Sequence, residues 1–175
     1  MSPSINQSVN PSVDIPRITH NSNATPGHEV IEQLVHGYAF QDMKVILKLF
    51  DEKAIYQDVS GRGTFGKTRC GTAAIENHFN VYFKYFLPSH TYEDTIIVGE
   101  GDKLFASWTL VLGTRLKSSS QYRVRGCDFF VVKNGKVIQK SAFLKFSLTT
   151  CLAIARIKLI ELFSLKFSSV QLSPR

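Results

Sequence analysis

The chain has 175 residues, of which 43% are hydrophobic and 20% charged; that suffices for one core and leaves little room for two independent domains. Its 21 lysines and arginines against 14 acidic residues give a net charge of +7, but they are scattered rather than gathered into a run, so nucleic acid is not an expected partner. Three widely spaced cysteines, Cys70, Cys127 and Cys151, read as reduced thiols of a cytoplasmic protein rather than a disulfide frame, and no basic stretch followed by an apolar one marks a secretory leader.

Residues 1–27 are dominated by Ser, Asn and Pro with aliphatics in no period, which predicts disorder. From His28 the pattern changes: Val30, Ile31, Leu34, Val35 and Tyr38 form one stripe of an amphipathic helix. Gln41 and Asp42 interrupt it, and "MKVILKLF" makes a second, shorter helix. In "KAIYQDV" the residues alternate, placing Ala54, Tyr56 and Asp58 on one face of a strand that stops where the loop "SGRGTFGKT" opens. Thr72 is an N-cap candidate for a third helix carrying Ile75, Phe79, Tyr82, Phe83 and Phe86, ended by Pro88.

Three strands follow at 91–98, 103–113 and 121–132, and a turn at Lys133, Asn134 and Gly135 leads into a fourth at 136–146. Helices first and a meander after them predict an α+β domain over residues 28–146, its antiparallel sheet covered on one face by the helices. Residues 147–175 are apolar yet carry Arg156, Lys158 and Glu161, too many charges for a bilayer span. A helix packed on the domain or on a partner subunit, an interfacial membrane helix and a poorly ordered tail all remain open for them.

Two carboxylates stand out. Along 122–132 one face carries Tyr122, Val124, Gly126, Asp128, Phe130 and Val132, so Asp128 reads as a lone charge on an apolar face. Desolvation would push its carboxyl upward, unless a backbone amide or a tyrosine bonds it. Asp58 is either a turn former leading into Gly61 or a base at the mouth of the domain. Together they suit a proton-shuttling base, Asp58, and an oxyanion stabiliser, Asp128.

Around them, His78 shares a helix side with Ile75 and Tyr82 and reads as a core or rim histidine or as a ligand contact. Trp108, in a stripe with Ala106, Leu110 and Leu112, reads as core or as pocket lining beside Tyr56 and Phe130. Cys127 faces the other way with Arg123, Arg125, Phe129 and Val131, a mixed surface suited to a subunit interface. The five histidines occur singly, so no metal is expected. The glycine-rich loop matches G-x-x-x-x-G-K followed by Thr, but the helix signal starts only at Thr72 and no parallel βαβ unit surrounds it, so no phosphate cradle is expected.

The stretches "LVHGYAFQDMKVILKLFDEKAIYQDVSG", "GTAAIENHF" and "GCDFFVVKNGKVIQKSAFLK" resemble the nuclear transport factor two-like superfold, in its SnoaL-like and ketosteroid isomerase-like branch. The resemblance covers residues 28–146. It implies a cone-shaped curved sheet wrapped around the helices, a cystatin-like roll, with a pocket at its wide end and homodimers through the outer sheet face. Ketosteroid isomerases place their base where the first strand ends, which Asp58 matches, and a protonated aspartate on a later strand, which Asp128 matches. Their catalytic tyrosine corresponds to Leu34, with Tyr38 one helical turn, roughly 5–6 Å, further on as the candidate third member. The implied activity is a cofactor-independent isomerase, cyclase or dehydratase acting on a small apolar metabolite; the alternative is a non-catalytic ligand-binding or dimerisation module of the same fold.

Overall fold

One apolar side of the first helix decides where the sheet must lie. In the computed structural model, which describes residues 17–20, 24–61, 63–85, 90–112 and 122–145, helix α1 spans Pro26–Phe40 and buries Val30, Ile31, Leu34, Val35 and Tyr38. It starts on Pro26, whose missing N–H is no loss in a first turn, and Thr25 N–H donates to His28 Nδ1 at 3.1 Å. Gln41, left-handed at φ 55°, ends it. Asp42 then caps α2 (Met43–Leu49) by accepting the N–H groups of Lys44 and Val45 at 3.0 and 3.1 Å.

Strand β2 (Phe50–Gln57) follows, then β3 (Thr68–Cys70) and helix α3 (Thr72–Tyr85). Gly71, at φ 83°, supplies the carbonyl that takes the first helical bond, from Ile75 N–H, so the cap lies one residue before the expected Thr72. The meander is β4 (His90–Glu100), β5 (Lys103–Leu112), β6 (Tyr122–Lys133) and β7 (Lys136–Leu144). With a first short strand, Ile18–His20, labelled β1, the sheet is open and ordered β1-β4-β5-β6-β7-β2-β3. Helix α1 packs on β4, β5 and β6, while α2 and α3 pack on β2, so the sheet curves around the helices. The class is α+β, a curved seven-stranded sheet with the helices on its inner face.

Three expectations need correction. The sheet is mixed rather than antiparallel throughout, because β2 pairs parallel to β7 and β1 parallel to β4. The meander and the β2–β3 pair are antiparallel; β2 reaches the far edge of β7 by a long route, and no tight turn dictates its direction. Ile18–His20 lies in the segment expected to be disordered, and it is ordered by pairing with Thr95–Ile97 along the otherwise bare edge of β4. β3 was not foreseen: the loop after Asp58 folds back to pair Thr68–Cys70 with Ile55–Gln57. The expectations for residues 1–16, Phe86, Pro88, Cys151 and the extension 147–175 lie outside the described residues.

The inner face of the sheet carries Leu104, Ala106, Trp108 and Leu110 from β5, Val124, Phe130 and Val132 from β6, and Val137 from β7, all buried. The outer face leaves Ile55, Ile96, Phe105 and Phe143 exposed. Gly126 faces Trp108 across β5 and β6. A Cβ there would land on the indole ring and within 2.7 Å of the Phe143 carbonyl, so the glycine makes the space the ring occupies.

Gly126→Ala should therefore lower stability by about 1–3 kcal/mol and shift the emission of Trp108, the only tryptophan in the chain. Chemical denaturation followed by fluorescence checks both; an unchanged midpoint and spectrum would contradict the packing described.

Candidate functional site

Asp58 stands at the root of the β2–β3 hairpin. Its N–H donates to the Lys67 carbonyl at 3.1 Å, and Gly66, at φ 65°, lets the loop fold against the Asp58 carbonyl where any Cβ would collide. The carboxylate is thereby aimed back at the domain. Its Oδ2 accepts from Ser60 Oγ at 2.9 Å and from Arg69 of β3 at 3.2 Å, and lies 4.0 Å from Nδ1 of His78 on α3. The side chains of Asp58, Arg69 and His78 are 10–14% exposed, which makes them a rim rather than a core.

Burial pushes His78 down to about 4, against the pull of Asp58 and with help from Arg69, Lys140 and Lys67. At neutral pH the imidazole is uncharged. Lys67 and Thr68 run into a strand rather than a helix, so the glycine-rich loop is a hairpin loop without the helix N-terminus of a phosphate cradle.

Beneath the rim, Asp128 is not the lone charge that alternation along β6 suggests. Lys140 Nζ of β7 lies 2.7 Å from its Oδ1, and Trp108 Nε1–H donates to its Oδ2 at 2.9 Å. Both ion-pair partners are buried, with side chains only 5% and 7% exposed. An ion-paired carboxylate that accepts at both oxygens has no proton to offer an oxyanion, so the expected donor role of Asp128 does not fit this geometry.

Lys140 escaped the sequence reading because of a one-residue bulge. Counting back from the Asn134–Gly135 turn pairs Val132 with Val137 and would set Gln139 opposite Phe130. The register slips between Val131 and Val132, however, so that Phe130 faces Lys140 and Asp128 faces Ala142. The slip turns Lys140 inward.

The ammonium lies over three aromatic rings, 4.9 Å from the centroid of Tyr56, 5.6 Å from Phe130 and 5.7 Å from Tyr38. Tyr56 joins rim and floor: its ring is also 4.9 Å from His78, 5.5 Å from Phe79 and 5.9 Å from the Arg69 guanidinium. Burial raises Tyr38, Tyr56, Tyr82 and Tyr92 well above the ordinary phenol range, and Asp128 raises each further, so all four hydroxyls remain protonated donors. Tyr38 Oη is buried and has no hydrogen-bond partner among the described residues. Its backbone is held firmly, because His90 Nε2–H donates to the Tyr38 carbonyl at 2.9 Å.

All seven residues singled out in the sequence, Tyr38, Tyr56, Asp58, His78, Trp108, Asp128 and Phe130, thus meet on the inner face of the sheet. Arg69, Tyr92 and Lys140 complete the cluster; Arg69 and Tyr92 are unmarked by any motif. A separate cleft of about 420 Å³ at the bulge of β2, lined by Phe50, Asp51, Glu52, Lys53 and Lys136, shares no residue with them. Among the described residues no three His, Cys, Asp or Glu side chains converge as a metal-binding group, and no helix is long and apolar enough to cross a membrane.

Because the folded His78 binds its proton more weakly than the unfolded one, the stability its neutral form supports is complete above about pH 6.5 and is lost as pH falls toward 4. Urea denaturation between these values should show His78→Gln to be less pH-dependent than the parent. Equal slopes would contradict a buried neutral imidazole.

Comparison with known proteins bears on this arrangement. The sequence pattern of the SnoaL-like domain matches residues 31–140, from α1 to Lys140 on β7. No curated protein matches the sequence. Among solved structures, an inferred polyketide cyclase from Xanthomonas campestris pv. campestris superposes with a TM-score of 0.59 at 14% identity, covering 73% of this chain and 95% of that one. TerC co-crystallised with polyporic acid gives 0.58 at 18% identity, over 78% and 99% of the two chains. An inferred ketosteroid isomerase from Kribbella flavida gives 0.54 at 17%, over 70% and 79%. At these identities the superpositions speak for the fold, and the domain pattern speaks for the family. It contains every residue of the cluster, and this chain belongs to the SnoaL-like domain family.

Proposed function

We propose that the chain takes up a small, mostly apolar molecule against the inner face of the sheet and moves a proton on it without a cofactor, in an isomerisation, cyclisation or dehydration. The observation that carries this reading is the pairing of a polar rim, Asp58, Arg69 and His78, with an aromatic interior that holds one buried ion pair. Proton transfer needs a base near the entrance and an apolar body beneath it to hold the substrate. Asp58 is the base, oriented by Ser60 and Arg69, and neutral His78 beside it is a polar contact at the rim. Solved relatives described as inferred polyketide cyclases and as an inferred ketosteroid isomerase support the reaction class.

A second reading, a binding module without turnover, is favoured by one observation: both oxygens of Asp128 are already engaged by Lys140 and Trp108. A thermal-shift screen of conjugated ketones and phenols against the full chain supplies a ligand under either reading, since a molecule that binds only the folded form raises the melting point. Conversion of that ligand, followed by NMR, separates the two. Asp58→Asn should lower turnover by about 10²–10⁴-fold while leaving binding nearly intact. Undiminished turnover in the variant rules out Asp58 as base, and binding without any conversion establishes the module.

A further inference from the structure

We propose that the C-terminal extension, residues 146–175, folds back over the outer face of the sheet, so that this face is covered by the chain's own tail rather than by a second copy. The inference does not depend on what the inner face binds.

The strand register gathers the apolar side chains of that face into one patch. Ile96 and Phe143 end a row that crosses β4 to β7 through Ser107 and Cys127, and Phe105 lies beside Phe129 in the next row. Ile96, Phe105 and Phe143 are 42%, 39% and 54% exposed, with Cys127 and Phe129 half-buried between them. The helices pack against the other face. Large apolar side chains adjacent to one another in water mark a surface that another segment or molecule covers.

Three observations select the tail as that cover. The chain leaves the sheet beside the patch: Phe143 belongs to it, and Lys145, the last described residue, donates its N–H to the Arg125 carbonyl at 2.9 Å. Within 151–167 the polar residues are Arg156, Lys158, Glu161, Ser164 and Lys166; the others are apolar and costly to leave in water, while the charges bar a bilayer span. The reach suffices as well. β7 points the chain toward Arg125, so it must turn back, which the Ser and Thr residues of 147–150 permit. Phe105 lies two strand spacings from Phe143, about 10 Å, and the stretch from Lys145 to Cys151 extends to about 20 Å. A tethered segment also meets the face at an effective concentration of millimolar order, above that of a free second copy. The tail lies beyond the residues that match the SnoaL-like domain, so this cover is an addition to that pattern.

The cysteines supply the test, because Cys127 stands in the patch and Cys151 opens the apolar stretch of the tail. The full chain carrying Cys70→Ser is treated with a bismaleimide that spans about 10 Å, two strand spacings. The expected product is a Cys127–Cys151 link at the mass of a single chain, in a yield independent of protein concentration.

Hydrogen exchange reads the same contact without relying on thiol reactivity. The amides of 151–167 should exchange at least about tenfold faster in Phe105→Asp/Phe143→Asp than in the parent, while the buried strands keep their protection. Links between two chains whose yield grows with concentration give the face to a second copy, and equal exchange in parent and variant leaves the tail off the face; either result overturns the proposal. Protection of the tail that appears only when phosphatidylserine-containing vesicles are added assigns it to a lipid surface and overturns the proposal as well.

Discussion

A lysine and an aspartate buried side by side are the constraint on which the rest of this inner face depends. Each charge costs several kcal/mol to bring out of water, and the pair is sustained only if its geometry is good and its remaining hydrogen-bonding capacity is used. Here the second carboxylate oxygen is taken by the Trp108 indole, and the ammonium is surrounded by three aromatic faces. The indole reaches Asp128 because Gly126 leaves its ring room, and Lys140 reaches it because β7 carries one extra residue near the turn. A glycine on β6 and a bulge on β7 are therefore parts of one device.

From that pair the polarity of the site grades outward. The floor is an ion pair in an aromatic box, the middle layer is the Tyr56 ring, and the rim is Asp58 with Arg69 and His78. A carboxylate at the rim and a cation at the floor set up a direction that suits the proposed proton transfer, with a base outside and positive charge within. The phenols of Tyr38, Tyr56, Tyr82 and Tyr92 stay protonated, so each keeps one O–H donor.

Much of this was legible in the sequence where periodicity survives folding. The stripe on α1, the face of β6 from Val124 to Val132 and the stop at Asp58 all follow from spacing, and the structure places them as spacing requires. Reading failed where one residue shifts a register. Lys140 belongs on the outer face by counting from the turn and on the inner face by the observed pairing, and no local pattern in "KVIQKSAF" announces the bulge. Arg69 was hidden for another reason: β3 is three residues long, too short for alternation to show, and exists because the edge of β2 was free to pair. The strand Ile18–His20 likewise owes its order to β4 rather than to its own composition.

The central claim is that Asp128 and Lys140 form one buried pair, and a double-mutant cycle on stability tests it most directly. Lys140→Met and Asp128→Asn are each compared with the parent by equilibrium denaturation, and then combined. Breaking a buried pair from one side should cost about 3–5 kcal/mol, and the double variant should cost less than the sum of the singles by at least about 1 kcal/mol, because each single strands the other group. Strictly additive losses would show that the two side chains do not depend on each other, and the account of the site built on them would fall.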